Sequence, residues 1–255
     1  MDLALQATWY DLDPESRDTY LEWLHEVGLP RLAARDGYSW VAHYEVYPSR
    51  VGAMDKTAAG VVEIDDLAVG NGSRYLLMIG AASADVFFDR RALQYPVADE
   101  EADQAWLQHR RGARTCVYLE EARVNGHDYH LRTPGRMPAR IIQFGSFNAR
   151  TPDDEFELGA WYRQNRLPAV ARTQGCIGVR KLVAIAGPVK HGVLYEFASV
   201  EARRDHFEGP LEWGTGSRTA ASDSPYLWPG RDRVDFLYFA PGSPTVAKRI
   251  WPLED

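Results

Sequence analysis

Cysteine is scarce in this sequence: among 255 residues there are only Cys116 and Cys176, one in each half. Two isolated thiols make a poor disulfide framework and are typical of a reducing compartment. Long apolar runs are also missing, since no stretch approaches the roughly 20 residues needed to cross a bilayer. The first four residues lack the basic and apolar regions of a signal peptide. We therefore expect a cytoplasmic protein.

Excess positive charge is missing as well. The formal net charge is −7 and the isoelectric point is about 5.5, so polyanions such as nucleic acids and acidic membranes would be repelled. The sequence also contains no Walker loop, GxGxxG, GxSxG or HExxH motif. We therefore expect no nucleic-acid or membrane partner, no metal and no resident cofactor.

What the sequence does contain is a repeat. Trp23 and Trp161 lie in segments that align without a gap at an offset of 138 residues. Between residues 14–41 and 152–179, seven pairs are identical, whereas background composition predicts about two. A period of this length indicates two duplicated units and not a solenoid. The identical pairs are Pro14/Pro152, Trp23/Trp161, Leu29/Leu167, Pro30/Pro168, Ala33/Ala171, Gly37/Gly175 and Val41/Val179.

Each copy begins with the pattern of a strand followed by a helix. Residues 3–10 and 141–148 are rich in apolar and aromatic types, which predicts opening strands. A helical pattern follows each strand, and we expect Pro30 and Pro168 to end or kink the two helices.

The remaining segments complete a β-α-β-β-α-β order in each copy, which is the ferredoxin-like plan. The predicted fold class is therefore α+β, with two tandem units built on antiparallel sheets. We expect the first unit at residues 1–130, with an insertion near 48–72, and the second at residues 140–255. Further strands are predicted at 40–47, 75–81 and 114–120, and at 178–185, 193–199 and 234–239; second helices begin at residues 84 and 200.

The end of each first helix resembles a known family. Residues 23–30 (WLHEVGLP) and 161–168 (WYRQNRLP) are similar to the aromatic and basic stretch found there in EthD-like, stress-responsive members of the dimeric α+β barrel superfamily. One departure matters: the helix histidine of that family aligns with Gly28 and Arg166, so no functional histidine is carried over. His25 lies almost one turn earlier.

This resemblance implies both an architecture and a range of chemistry. In such relatives two subunits bring their sheets together as a barrel, so here one polypeptide is expected to form an internal pseudo-dimer, as a monomer or as a homodimer of such chains. The implied reactions include cofactor-independent oxygenation of phenols, lactone isomerisation, polyketide cyclisation and haem breakdown. They require an apolar pocket with one or two polar groups that move a proton or hold an oxyanion.

Two residues are candidate catalytic bases. His43 lies on the predicted second strand, and its ordinary pKa is near neutrality; alternatively it is a structural strand histidine. Glu196 is the second candidate, because a carboxyl buried at this position would have a raised pKa; alternatively it points outward and is solvated. The counterpart of His43 in the second copy is Lys181, so two pockets would differ chemically.

Five further residues are candidate substrate-binding groups. Tyr10 and Asn148 end the two opening strands and can donate to a ligand oxygen, or they merely cap the strands. Arg166 can bind a carboxylate, or it is simply exposed. Trp40 and Tyr195 lie beside the candidate bases and can line an apolar pocket, although buried tryptophans are common core residues.

Two functional hypotheses remain open. The first is an enzyme acting on a small aromatic, polyketide-like or lactone-like metabolite by oxygenation, isomerisation or cyclisation. The second is a non-catalytic protein of the same fold that binds a hydrophobic ligand or assembles through the insertion. A closed pocket containing His43 or Glu196 would favour the enzyme, whereas a barrel filled by its own aromatic side chains would favour the second hypothesis.

Overall fold

Ten strands and six short α-helices make up the described part of the chain, which in the computed structural model comprises residues 2–48, 62–66, 68–88, 101–132, 137–208 and 237–253. The strands are β1 (Ala4–Leu12), β2 (Tyr38–Val46), β3 (Val62–Glu63), β4 (Tyr75–Ala81), β5 (Arg110–Asn125), β6 (Ile141–Ala149), β7 (Cys176–Ala186), β8 (His191–Phe197), β9 (Leu237–Phe239) and β10 (Thr245–Trp251). The helices are α1 (Arg17–Trp23), α2 (Leu29–Ala33), α3 (Glu101–Leu107), α4 (Pro152–Trp161), α5 (Leu167–Ala171) and α6 (Val200–Arg203).

Eight of the strands close into an antiparallel barrel. Their order is β10-β2-β4-β1-β5-β7-β8-β6, and β6 pairs again with β10. The short strand β9 extends the outer end of β6, and β3 lies parallel to β9. The predicted α+β barrel class is therefore confirmed at the level of a closed antiparallel barrel flanked by helices.

Both halves contribute four strands in the same relative order. The first half supplies β5-β1-β4-β2 and the second supplies β10-β6-β8-β7, so each opening strand lies between the closing strand and the third strand of its half. The halves meet at two antiparallel seams, β5 with β7 and β2 with β10. A single chain therefore supplies every strand of the barrel.

The closing strand of the second half lies later in the sequence than predicted. The prediction placed it at residues 234–239, of which 234–236 lie outside the described residues, and Leu237–Phe239 forms only the short strand β9. The barrel is closed instead by β10, which pairs with β2 on one side and β6 on the other. The position of the closing strand is set by pairing with strands of both halves, and the strand preference of individual residues does not reveal such pairing.

The first helix of each half continues past its proline. A π-helical turn, Leu24–Gly28, joins α1 to α2, and its equivalent Tyr162–Arg166 joins α4 to α5, again at an offset of 138 residues. Pro30 and Pro168 then lie within the first two positions of α2 and α5, where a missing N–H costs little. The helices therefore do not stop at the prolines themselves; each contains a π-helical turn just before its proline and ends three residues after it, at Ala33 and Ala171.

Large aromatic side chains lie in the barrel interior. Trp9 is fully buried there and meets the ring of Phe144 edge-on at 5.0 Å between centroids. Trp40, Tyr44 and Tyr118 are buried in the same cluster. Two further apolar layers lie outside the barrel, where the helices of each half pack against their own four strands. Trp9 and Trp40 are therefore part of the barrel core.

A buried ion-pair cluster ties the halves together beside the seam between β5 and β7. Arg180 donates from Nη1 to Asp2 Oδ2 at 2.8 Å and from Nε to Glu120 Oε2 at 2.7 Å. Arg123 donates to the same two carboxylates, at 3.0 Å to Asp2 and 2.7 Å to Glu120. The start of the chain is thereby held against a strand of the second half.

Part of the predicted insertion lies over one end of the barrel. Residues 49–61 and 67 lie outside the described residues, but Val69 is buried in the barrel cluster and Ile64 packs against it. The carbonyls of Gly70 and Gly72 each accept a hydrogen bond from Arg114, at 3.1 Å. This segment therefore covers the barrel end and is fixed to β5.

Candidate active site

A series of three hydrogen-bonded side chains runs through the outer layer of the first half. The hydroxyl of Tyr10, on β1, lies 2.8 Å from Nε2 of His43, on β2. The other ring nitrogen of His43, Nδ1, lies 2.8 Å from Nε2 of His25 in the π-helical turn. Tyr10 and His43 are fully buried and His25 is partly exposed. This hydrogen-bonded series thus leads from the buried sheet face toward the surface of the helix layer.

Aromatic and basic groups surround this chain. Tyr75 stacks on both Tyr10 and His43, with ring centroids 5.6 Å apart in each case. The guanidinium of Arg110 lies 4.3 Å from the centre of the Tyr10 ring, and its Nε donates to Tyr20 Oη at 2.6 Å. Nη2 of Arg110 is buried and has no hydrogen-bond partner within the ranges that the structure describes. The layer therefore combines flat apolar surfaces with one incompletely satisfied cation.

Both histidines are held in the neutral form at physiological pH. Burial lowers the pKa of His43 well below its ordinary value, and the neighbouring His25 and Arg110 lower it further. Burial also lowers the pKa of His25. The pKa of the Tyr10 hydroxyl is raised well above its ordinary value, chiefly by burial. Neutral imidazoles in a hydrogen-bonded series can accept and pass protons.

His25, and not His43, is the member of the chain that can meet a ligand. Both ring nitrogens of His43 are already engaged by protein groups. His25 uses only Nε2, and it alone of the two histidines reaches solvent. Sequence reasoning placed His25 near the family's histidine position but did not select it. The signal that would have found it is the pairing of a helix histidine with a strand histidine.

The outer layer of the second half contains a different polar cluster. Lys181, the counterpart of His43, is buried and donates from Nζ to Glu121 at 2.9 Å and to His191 Nδ1 at 3.2 Å. Nε2 of His191 is buried 3.7 Å from Glu155 Oε1, and no described residue forms a hydrogen bond with it. The expected chemical difference between the halves is therefore present. Beside the cluster lies an open groove of 470 Å³, lined by Asn148, Glu155, Lys190 and residues 184–188.

The buried His191 predicts acid sensitivity of folding. Burial, reinforced by Lys181, lowers the pKa of His191 from 6.5 to about 4. The unfolded chain therefore binds the additional proton between these pH values, so the stability that His191 contributes at neutral pH is lost as the pH falls from 6.5 toward 4. The loss amounts to up to about 3 kcal/mol. Urea unfolding of His191→Gln across this range is expected to show a flatter pH dependence than the wild type.

The exposed His127 provides the control for that experiment, because its side chain is 56% exposed. His127→Gln is expected to follow the wild-type pH dependence. Equal slopes for His191→Gln and the wild type would contradict the assignment. Glu121, Glu155 and Lys190 also act on His191, and all three are present in both variants.

The other candidate residues are dispersed over several places. Trp40 faces the barrel interior and donates to Asp2 at 2.9 Å, away from His43. Asn148 accepts from the backbone N–H of Lys190 at 2.6 Å and lies at the edge of the groove. Arg166 and Tyr195 meet in the second layer, where Arg166 Nε donates to Tyr195 Oη at 3.3 Å.

Glu196 is buried, but its carboxylate is occupied. Oε1 accepts from Arg132 Nη2 at 2.5 Å, and Oε2 accepts from the backbone N–H of Ala139 at 2.8 Å. Of the two alternatives for Glu196, the structure has the buried side chain and not the solvated one, since β8 is covered on both faces. A carboxylate with these partners holds the connection between the halves against the sheet.

Within the described ranges no group of three or more His, Cys, Asp or Glu side chains is arranged to hold a metal ion. Over the same part of the chain, no helix has the length and apolar character that a membrane crossing requires.

Comparison with known proteins finds similarity of structure only. No protein-family model matches the chain, and no curated protein matches it. Among solved structures, an anthrone oxidase-like protein has a TM-score of 0.49 at 11% identity and covers 98% of this chain and 91% of its own. A dye-decolorizing protein from V. cholerae has a TM-score of 0.46 at 12% identity, with 97% and 93% covered. A regulator of staphylococcal pathogenesis has a TM-score of 0.40 at 8% identity, with 96% and 98% covered.

Proposed function

We propose that this protein is a small-molecule enzyme in which His25 acts as a general base. The observation that carries the proposal is the hydrogen-bonded series from buried Tyr10 through His43 to partly exposed His25. Its substrate is a small aromatic, polyketide-like or lactone-like compound with an acidic O–H or C–H group. Proton removal is the step shared by oxygenation, isomerisation and cyclisation of such compounds, and it needs no cofactor.

In the basic form of the site, each hydrogen bond fixes the next. His43 donates from Nε2 to the oxygen of Tyr10, so its Nδ1 is free to accept from Nε2 of His25. This tautomer of His25 leaves Nδ1 with a lone pair facing outward. Nδ1 takes the substrate proton, and the resulting imidazolium keeps its hydrogen bond to His43. Tyr10 and His43 therefore act as positioning residues and His25 as the catalytic residue.

Arg110 supplies the complementary charge. Proton removal leaves an enolate or phenolate on the substrate, which a nearby cation stabilises in a site partly shielded from water. Nη2 of Arg110 has no hydrogen-bond partner in the described part of the chain, and the guanidinium lies in the same layer as Tyr10 and Tyr20. The stacked Trp23 and Trp106, with centroids 5.4 Å apart, offer flat surfaces for an aromatic substrate.

Proton exchange provides a direct test. An enolisable polycyclic ketone, a 1,3-diketone and a butenolide are incubated with the full chain in D₂O, and loss of the acidic C–H signal is followed by NMR. The wild type and the control His127→Asn are expected to accelerate exchange of at least one compound, whereas His25→Asn is expected to lose the acceleration. Exchange by His25→Asn at the wild-type rate would refute the role of His25.

Non-catalytic ligand binding is the second candidate function. It is favoured by the barrel interior, where the protein's own Trp9, Trp40, Tyr44 and Tyr118 pack together as an apolar surface. In that case the same compounds bind, as measured by calorimetry, but their exchange rates equal those in buffer. The two functions are therefore separated by one set of samples.

We also propose that the chain arose as a tandem duplication of an EthD-like, ferredoxin-like unit, with repeats at 1–130 and 140–255. The recurrence of a π-helical turn at the 138-residue offset supports this, as does the common strand order of the halves. A cytoplasmic monomer or homodimer is part of the proposal; the free thiols of Cys116 and Cys176 agree with that location.

A further inference from the structure

Arg114 is a buried arginine with an unsatisfied edge. It lies on β5 with only 3% of its surface exposed, and its guanidinium packs 4.6 Å from the centre of the Trp9 ring. Nη1 donates to the carbonyls of Gly70 and Gly72 at 3.1 Å. Nε and Nη2 are both buried and have no hydrogen-bond partner among the described residues. Leaving the N–H groups of a buried cation without hydrogen bonds is energetically costly. We therefore ask which ligand group could accept hydrogen bonds from Nε and Nη2.

The geometry of Nε and Nη2 indicates which acceptor group fits them. Nε and Nη2 form one edge of the planar guanidinium, and their N–H bonds are parallel. This fork matches the two oxygens of a carboxylate in a bidentate pair. Burial lowers the pKa of Arg114 only to about 10, so the group remains cationic at neutral pH. The carboxylates of Asp11 and Glu63 act on it electrostatically, but neither bonds to the free edge.

The side chains around Arg114 indicate the chemistry of the ligand beyond its carboxylate. Residues 114, 116 and 118 alternate along β5, so Cys116 and Tyr118 face the same interior as Trp9. The hydroxyl of Tyr118 is fully buried and interacts with the thiol of Cys116. One face of the site is therefore aromatic. Val69, from the segment over the barrel end, completes the apolar lining.

We propose that Arg114 binds the carboxylate of a small aromatic acid at the covered end of the barrel. The carboxylate oxygens accept from Nε and Nη2, and the ring of the acid packs against the aromatic interior beside Trp9. This site lies inside the barrel, on the opposite face of the sheet from His25, and does not depend on the function proposed there. It assigns a ligand to the barrel interior, in addition to the one in the outer layer.

The probe is benzoate, with benzamide as its uncharged isostere. Calorimetry on the full chain at fixed ionic strength is expected to show binding of benzoate and at least tenfold weaker binding of benzamide. Replacement of Arg114→Lys keeps a cation that can reach the glycine carbonyls but removes the fork. It is expected to weaken benzoate binding about 10- to 100-fold, as loss of charged hydrogen bonds predicts. The control Arg111→Lys, at an exposed arginine paired with Asp13, is expected to bind as the wild type does.

A second measurement uses only the wild type, in case Arg114→Lys does not fold. In a protein labelled with ¹⁵N-arginine, benzoate is expected to shift one buried Nε–H resonance that benzamide leaves in place. Assignment to Arg114 rests on its disappearance in Arg114→Lys or, if that variant is unfolded, on its contact with an indole in a nuclear Overhauser spectrum. The proposal is overturned if benzoate and benzamide bind alike, if neither binds, or if benzoate leaves the Arg114 resonance unchanged.

Discussion

Replacing Arg180 with methionine is expected to lower the free energy of unfolding by about 3–5 kcal/mol, the cost of breaking a buried ion pair by removing one partner. Arg180 is 2% exposed and donates to Asp2 and Glu120 through three separate nitrogens. Methionine fills most of the volume but leaves Arg123 as the one remaining cation that pairs with both buried carboxylates among the described residues. Burial raises the pKa of Asp2, yet Arg180, the hydrogen bond from Trp40 and Arg123 together outweigh it and keep that pKa below its ordinary value.

Urea denaturation at pH 7 measures this loss. The matched control is Arg204→Met, which removes an arginine from an ion pair with Asp205 that is about half exposed on both sides. Exposed pairs contribute little, so a change below about 1 kcal/mol is expected for the control. A loss for Arg180→Met no larger than the control's would mean that the seam is held by its backbone pairing alone.

Replacing His43 with glutamine is expected to slow the proposed proton abstraction about 100-fold or more, within the range for loss of general acid–base assistance. Glutamine preserves some hydrogen bonding to Tyr10 and His25, but it cannot share the imidazolium proton. Because His43 does not touch the substrate in our proposal, kcat should fall with little change in KM. A merely structural role would not produce this separation.

The pH profile provides the second readout of the same variant. Activity requires neutral His25, and burial lowers its pKa, so wild-type activity should persist below pH 6.5 and fall at more acidic pH. In His43→Gln the pH at which activity falls on the acidic side of the profile is expected to change, because the group bonded to Nε2 of His25 has changed. His127→Gln again serves as control. If the rate and the acidic side of the pH profile are both unchanged in His43→Gln, His43 has no role in the proposed proton transfer.

Much of the barrel could be predicted from the sequence because each half keeps a strong local pattern. Strand β4, Tyr75–Ala81, lies where a short continuous apolar run predicted it, and the Trp23/Trp161 offset anticipated that the two helices would match. Strand β10 was missed because it is defined by partners in both halves. Its Lys248 and Arg249 weaken the local strand signal, and only pairing with β2 and β6 places it.

The candidate site was harder to predict because its members depend on three-dimensional neighbours. His43 and Tyr10 were selected from strand position, but nothing local indicates that His25 would reach across the layer to His43. The pairing of Lys181 with His191 requires the register between β7 and β8. Arg114 resembles any strand arginine until its buried and unpartnered edge is seen.

The closure of the barrel by one polypeptide has an evolutionary consequence. In a ring built from two identical molecules, every substitution appears twice, and a change that benefits one face must be tolerated on the other. Here β5 meets β7 and β2 meets β10 within one gene product, so the two faces are free to specialise separately. The histidine pair in one layer and the lysine–histidine pair in the other are what such independence permits.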